Sequence, residues 1–418
     1  MKVRFVLLVV AFAVIGVFPV PAQTPAAAGL ERVAGLLESG AESVRIVCFG
    51  DSVTGVYYHT GGRRAYADML QIALQRTYPK ASVTVINAGI SGNNTANALA
   101  RIGTDVLAHR PHLVTVMFGL NDMTNLTLEE YSANLTSIIT QCRATSAELL
   151  LCTPNAVEET DRRPSSKLET YVAAMRQVGA DNSVAVVDCY AAYQQERAAD
   201  PLAFALLMSD EIHPNMDGHR LFAKLIAEQI SGKPVSLDDV GFPFPAMPKT
   251  LALLKEGKPV RVHAMPPYDT LIAPALLSVF PSANLEVTAW PVEGRSVPQL
   301  EEDAKAVRKM GVDLVIVAVS AEANAESREK YLRSYSWVMN HALSFAYQEW
   351  DVIAFPPSTA NPALAGDEKE ALARQRIRAQ DLGTITRADR DETPVAQLLE
   401  TWIKEQFTES GTATSAKE

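Results

Sequence analysis

The sequence predicts a doubly wound α/β domain on a parallel sheet, followed by a second, smaller α/β domain of similar pattern. Two observations predict this. Short apolar runs, continuous rather than alternating, recur from Val44 onward and are separated by longer stretches of helical periodicity. Strands that are apolar on both faces belong to a parallel sheet covered by helices on either side. The second observation is that the C-terminal half repeats the order of the first half.

In chain order, Val44 to Phe49 reads as the first strand and Tyr66 to Tyr78 as a helix with apolar residues at helical spacing. Val83 to Ile86 is the second strand, Ala96 to His109 a helix, Leu113 to Phe118 the third strand and Leu128 to Ala144 the helix after it. Leu149 to Cys152 and Val184 to Val187 are two more strands, separated by a helix over Leu168 to Val178. A last helix runs from Met216 to Ile230. Ser231 to Met247, rich in Pro and Gly, breaks this rhythm and reads as a linker. The expected boundaries are a signal peptide over 1–22, a lead-in over 23–43, a first domain over 44–232, a linker over 233–248, a second domain over 249–408 and a disordered tail over 409–418.

Of the 418 residues, 48 % are hydrophobic and 21 % charged, an ordinary globular balance that accommodates two domains. The net charge of -10 comes without any block of Lys and Arg, which argues against a nucleic-acid partner. Lys2 and Arg4 precede an unbroken apolar run from Phe5 to Phe18, and Val20-Pro21-Ala22 supplies small residues for cleavage before Gln23. This is the pattern of a secretory signal, too short for a comfortable span. The expected protein is therefore secreted or periplasmic, with no stable membrane insertion once the signal is removed. Cys48, Cys142, Cys152 and Cys189 make no disulfide framework and are expected mostly as buried thiols.

The repeat carries a length difference. Val260-Arg261-Val262 echoes Val44-Arg45-Ile46 at an offset of 216, while Phe280-Pro281-Ser282-Ala283 echoes Tyr78-Pro79-Lys80-Ala81 at an offset of 202. The second copy therefore lacks 14 residues, on the segment equivalent to Asp51–Arg64.

Four blocks in the first domain draw attention together: Phe49-Gly50-Asp51-Ser52, Asn87-Ala88-Gly89-Ile90-Ser91-Gly92-Asn93, Gly119-Leu120-Asn121-Asp122 and Asp210-Glu211-Ile212-His213-Pro214. Each follows a strand or leads into a helix, and in a parallel sheet those positions gather on one rim. Acyl transfer needs a nucleophile, a base, a group that orients the base, and donors for an oxyanion. Ser52 on a strand-to-helix turn is the candidate nucleophile, His213 its base, and Asp210 the acceptor that fixes the histidine tautomer. The N–H groups of Ser52 and Gly92, with the Asn121 side-chain amide, are three candidate oxyanion donors. Taken singly, a Gly-Asp-Ser turn, an Asp-x-x-His helix entry or a Gly-x-Asn-Asp loop is unremarkable structure. Their occurrence in order, each after the right element, is specific. Asp51 is expected to order its turn, Asp122 to support Asn121 or cap the next segment, and His219 to be structural.

These blocks resemble those of the SGNH hydrolases, the GDSL esterases and lipases, over about Val44 to Ile230. The resemblance implies a flavodoxin-like three-layer α/β/α sandwich, Ser52 as nucleophile, Gly92 and Asn121 as oxyanion donors, Asp210 and His213 as the acid–base pair, and no cofactor. Gly-Asp-Ser-Val stands here for the family's Gly-Asp-Ser-Leu.

Asp51, Tyr57, Tyr58, His59 and Arg63 are the candidate substrate contacts. Aromatic faces pack on sugar rings, and Arg and His bond hydroxyls. With the export signal, this loop points to acetyl or other short acyl esters, on small molecules or carbohydrates. The second domain lacks the chemistry, with Ser320-Ala321-Glu322 for Gly-Leu-Asn and Thr393 for the histidine. Three roles are open for it: packing on the first domain, shaping the cleft, or mediating a homodimer. The rival readings are a catalytically vestigial carbohydrate-binding or scaffold protein, and an acyltransferase or lipase using the same site.

Overall fold

The computed structural model describes residues 28–388 and 390–408. The expected signal peptide and the C-terminal tail lie outside the described residues. Five parallel strands, β1 (Val44–Gly50), β2 (Val83–Gly89), β3 (Leu113–Met117), β4 (Glu148–Cys152) and β5 (Ala185–Val187), form one sheet in the order β2-β1-β3-β4-β5. This is the flavodoxin-like order, and its connections reverse direction between β1 and β3. The strands are apolar on both faces because helices cover both. Tyr66–Thr77 packs with Met216–Ser231 on one side, and Thr95–Asp105, Leu128–Ala144 and Ser165–Asp181 pack as the other layer.

Local chemistry sets the ends of these helices. Asn94 with Asn97, and Thr127 with Glu130, form reciprocal capping boxes. The Asn215 side chain caps Met216–Ser231 by accepting from the Asp217 and Gly218 N–H groups. That cap lies two residues after His213 and anchors the loop that carries it.

Strand positions agree with the pattern of the sequence, while several helices differ. The helix expected to reach His109 ends at Asp105 and continues as a 3-10 turn over Leu107–His109. The lead-in contains a helix, Glu31–Ser39, whose Leu30, Val33 and Leu37 enter the core and whose first N–H groups are held by the Glu148 carboxylate. Two further helices, Cys189–Ala199 and Pro201–Leu207, each capped by an Asp, fill the long connection before Asp210. All four cysteines are buried and unpaired.

A second parallel sheet, β6 (Val260–Ala264), β7 (Leu285–Ala289), β8 (Leu314–Val317) and β9 (Asp351–Ala354), has the order β7-β6-β8-β9, which is that of the first sheet without its fifth strand. Val44 pairs with Val83 in the first sheet and Val260 with Leu285 in the second, so the first connection is 14 residues shorter there. The segment between the domains is tied down along its length. Leu237 is buried, Arg76 pairs with Asp239 at 2.7 Å, and Arg63 donates to the carbonyls of Pro243 and Pro245 at 2.7 and 2.8 Å. Among the described residues no helix is long and apolar enough to cross a membrane.

Candidate active site

The ends of β1, β2 and β3 bring Ser52, Gly92 and Asn121 to one rim, next to the point where the strand order reverses. Gly50 is required at the turn: a Cβ there would lie 2.0 Å from Thr54 Oγ1 and 2.7 Å from the Met117 carbonyl oxygen. Asp51 closes the turn by accepting from the Val53 N–H at 2.9 Å, leaving Ser52 half-buried at its apex.

Ser52 Oγ lies 2.9 Å from His213 Nε2. On the other side of the ring, His213 Nδ1 lies 2.8 Å from Asp210 Oδ2. Asp210 spends its second oxygen on the loop itself, with Oδ1 accepting from the N–H groups of Ile212 and His213 at 2.8 Å each. Buried Asn155 donates to the Ile212 carbonyl at 2.8 Å and fixes the same loop from below. The carboxylate is thus oriented before any substrate arrives.

Burial favours neutral forms here, and the ion pair outweighs it. The His213 ring resists charging because it is buried, but the charge of Asp210 and its hydrogen bond hold the imidazole above its ordinary value of 6.5. Burial would raise Asp210 too, yet His213 and the two backbone donors hold its carboxyl well below the usual range. Asp51 lacks such compensation. Burial pushes it up to about 7, against the Val53 N–H and the His213 charge.

Gly92 has φ of +76°, a backbone conformation that L side chains rarely adopt, and a Cβ there would meet nothing within 4 Å. The residue is exposed. The Asn121 Nδ2 group donates to the Asn93 carbonyl at 3.0 Å, and its Oδ1 accepts from Arg163 at 3.2 Å. Arg163 also donates to the Leu120 carbonyl at 3.2 Å, so it sets which way the amide faces. Nothing local in the sequence distinguishes Arg163 from its neighbour Arg162. Asp122 accepts from the Thr95 N–H and hydroxyl at 2.8 and 2.6 Å, and so holds the start of a helix rather than Asn121.

Four of the five residues expected to touch substrate turn inward instead. Asp51 is 2 % exposed and His59 is fully buried. His59 stacks on His213 and places its Nε2 3.1 Å from the Ser52 carbonyl oxygen. Tyr58 donates its hydroxyl to Asp210 Oδ2 at 2.8 Å. Arg63 is consumed by the carbonyls of Pro243 and Pro245. Asp51 and His59 are spent on the nucleophile turn and the His213 ring of the first domain, Arg63 on the segment between the domains, and Tyr58 meets both Asp210 and, through Phe345 and Trp337, the second domain. Tyr57 is half-buried. Its hydroxyl accepts from the Ser91 N–H at 2.8 Å, and its ring lies 5.5 Å from that of Phe345, which is 53 % exposed. His219 is buried, its Nδ1 accepting from the Tyr66 N–H at 2.9 Å.

Residues 48–221 match the sequence profile of the GDSL-like Lipase/Acylhydrolase family. An acetylxylan esterase of Geobacillus stearothermophilus is 29 % identical over 169 residues, which are 38 % of this chain and 76 % of the relative. Among solved structures, the lipase/acylhydrolase from Enterococcus faecalis is 28 % identical and covers 46 % of this chain and 99 % of its own, with a TM-score of 0.40. An acetylxylan esterase structure from Geobacillus stearothermophilus is 26 % identical over 46 % of this chain and 97 % of its own, with a TM-score of 0.41. Over residues 48–221 the first domain is thus similar to the GDSL-like lipase/acylhydrolase family, the SGNH hydrolases, and this likeness supports a carboxylic ester hydrolase.

Proposed function

We propose that the protein is an exported esterase that removes short acyl groups, acetyl above all, from carbohydrate hydroxyls through an acyl-serine intermediate. The observation that carries the chemistry is the line Ser52 Oγ, His213 Nε2, His213 Nδ1, Asp210 Oδ2, with 2.9 Å at the first contact and 2.8 Å at the last. In this reading Ser52 Oγ attacks the ester carbonyl carbon while His213 Nε2 takes the hydroxyl proton. Asp210 stabilises the imidazolium. The Ser52 and Gly92 N–H groups and Asn121 Nδ2 receive the oxyanion, the amide leaving the Asn93 carbonyl to do so. Collapse of the tetrahedral adduct breaks the bond to the sugar oxygen, which leaves with the proton from His213. Water, deprotonated by the same ring, then attacks the acyl-serine and releases the carboxylate and the free serine.

Support for a sugar ester comes from Tyr57, whose hydroxyl bonds the Ser91 N–H and whose ring packs against Phe345, and from the acetylxylan esterase relative. Support for export is the positive, then apolar, then small-residue order of residues 1–22. The second domain, about 249–408, is read as a non-catalytic copy of the first, on its matching strand order and the 14-residue deficit. Hydrolysis of a panel of acetylated xylo-oligosaccharides and of short- and long-chain acyl esters, by wild type and Ser52→Ala, tests the reading. Acetyl sugars as preferred substrates with an inactive Ser52→Ala are expected. Preference for long chains rejects the substrate class, and an active Ser52→Ala rejects the nucleophile.

A further inference from the structure

Tyr58 lies on the 14-residue segment that the second domain lacks, and its two ends are held by different parts of the molecule. Its hydroxyl donates to Asp210 Oδ2 at 2.8 Å, the same oxygen that meets His213 Nδ1. Its backbone N–H donates to the Phe345 carbonyl of the second domain at 3.1 Å. Its ring stacks on Trp337 at 6.1 Å between centroids and 30° between planes, and the Arg308 guanidinium sits 5.5 Å from the ring centroid. Arg308 is fixed in turn by the Asn340 and Leu343 carbonyls, at 2.8 Å each.

Trp337 lies on the helix Arg328–Ala342, two other residues of which reach the Asp210 loop. Arg333 donates through Nη2 to Glu211 Oε1 at 2.5 Å. Asn340 donates to the Ser209 carbonyl at 3.1 Å and accepts from the Ser209 hydroxyl at 3.0 Å. Positions 333, 337 and 340 are spaced by four and three, so they form a single stripe along the helix. One helix face therefore grips the residues on both sides of Asp210 and the tyrosine that bonds its carboxylate. Ser209 and Asn340 are buried, so these contacts are made away from water, where an unmade partner is costly.

We propose that Tyr58 is a positioning residue for the Asp210–His213 pair, and that the helix Arg328–Ala342 of the second domain holds it in that role. The second domain then contributes to catalysis without supplying a reacting group. Burial and the neighbouring Asp210 both keep the Tyr58 hydroxyl protonated, so it acts as a donor throughout the working range. The charged or titratable groups facing the pair are Asp51, His59, His219 and Arg163, with Glu211 and Arg308 beside Tyr58. None of these replaces the Tyr58 hydroxyl at Asp210 Oδ2.

The proposal rests on the reading of Ser52, His213 and Asp210 as the reacting set, and its test is separable from that reading. In the full chain, Tyr58→Phe keeps the ring and removes only the hydroxyl. The expected result is a kcat lower by about 10-fold, the scale of a lost hydrogen bond to a charged group, with KM nearly unchanged. The acid limb of kcat/KM should move upward, because a carboxylate with one donor fewer puts more of its charge on His213. Trp337→Leu should lower kcat in the same direction, and adding it to Tyr58→Phe should lower kcat no further, since Trp337 acts through Tyr58. Thermal unfolding by circular dichroism confirms that each variant is folded at the assay temperature. A Tyr58→Phe enzyme with wild-type kcat and acid limb overturns the proposal, as does a double variant whose loss is the product of the two single losses. If Ser52→Ala keeps activity, the reacting set is wrong. If Ser52→Ala is inactive and Tyr58→Phe is unaffected, only the positioning role fails.

Discussion

The rings of His59 and His213 lie parallel, 4.8 Å apart with 4° between their planes, and the His59 Nε2 is 3.1 Å from the carbonyl oxygen of Ser52. A buried neutral ring is thereby placed under the ring that must take up a proton, and tied to the backbone of the attacking residue. Burial, helped by the charge of His213, pushes His59 down to about 3, so it stays neutral while His213 titrates.

That depression is also a statement about stability. Between pH 6.5 and about 3 the unfolded chain binds a proton at this residue that the folded chain does not. The His59 contribution is present above pH 6.5 and is lost as pH falls, by about 5 kcal/mol in total at order-of-magnitude precision. Asp51 and His213, both raised, act with the opposite sign, so the comparison must be with a variant rather than with theory. His59→Gln should be less stable than wild type at pH 7, and the gap should narrow steadily towards pH 4. Urea unfolding at a series of pH values measures it; a constant gap excludes the linkage.

His213 is held above 6.5 by Asp210, so the acid limb of kcat/KM should fall above 6.5, where the base becomes neutral. Asp210→Asn keeps the shape but removes the charge and reverses the hydrogen bond to Nδ1. A loss of about 10^4-fold in kcat is expected. Initial rates on a small acetyl ester from pH 5 to 9 give both results.

Asn121 and Arg163 form a donor and its orienter. Asn121→Ala removes one oxyanion donor and should lower kcat by about 100-fold to 1000-fold. Arg163→Leu leaves the amide in place but releases its oxygen, and should cost less, about 10-fold, with the two losses far from additive. Kinetics of the single and double variants decide it; fully additive losses would separate the two residues.

How much of this was legible in the sequence depends on the range of the interaction. Ser52, Gly92, Asn121 and the Asp210–His213 loop each follow a strand end or precede a helix, so local pattern alone gathers them on one rim. Helix Glu31–Ser39 follows the spacing of Leu30, Val33 and Leu37, but it stands before the first strand, where the alternation of strands and helices has not begun. Tyr58, His59 and Arg63 are visible in the sequence as an insertion, but their protein partners are not: Asp210, the Ser52 carbonyl and the carbonyls of Pro243 and Pro245. Tyrosine, histidine and arginine serve a sugar and a buried protein contact equally well, and no local pattern tells the two apart. Arg163 could not be found, because its partners Leu120 and Asn121 are more than forty residues away and no periodicity links them.

Across the same interface, Arg64 Nε lies 2.6 Å from Asp381 Oδ2, with the carboxylate side chain 1 % exposed. Arg220 approaches Asp381 only to 3.6 Å. Removing Arg64 would leave a buried carboxylate short of its main partner, which costs about 3 kcal/mol. Arg64→Met should therefore lower the urea midpoint clearly. Adding Asp381→Asn should recover part of the loss, because the amide is neutral and Asn tolerates the φ of 57° found there. A double variant less stable than Arg64→Met would show that the charge pair is not the source.

Phe345 stands at the other end of the interface, 53 % exposed, with its ring 5.5 Å from Tyr57. Its ring packs against Tyr57, whose hydroxyl accepts from the Ser91 N–H next to Gly92. If it stacks on the sugar that bears the acyl group, its contact is made in the ground state and the transition state alike. Uniform binding of that kind appears in KM and leaves kcat in place. Phe345→Ala should therefore raise KM for acetylated xylo-oligosaccharides by about 5-fold to 20-fold, the scale of one aromatic stacking contact. KM for 4-nitrophenyl acetate, which carries no sugar ring, should rise by less. Because Phe345 also holds Tyr58 through its carbonyl, the substitution removes only the side chain and keeps that backbone acceptor. A fall in kcat equal for both substrates would place Phe345 with the positioning residues and not with the sugar.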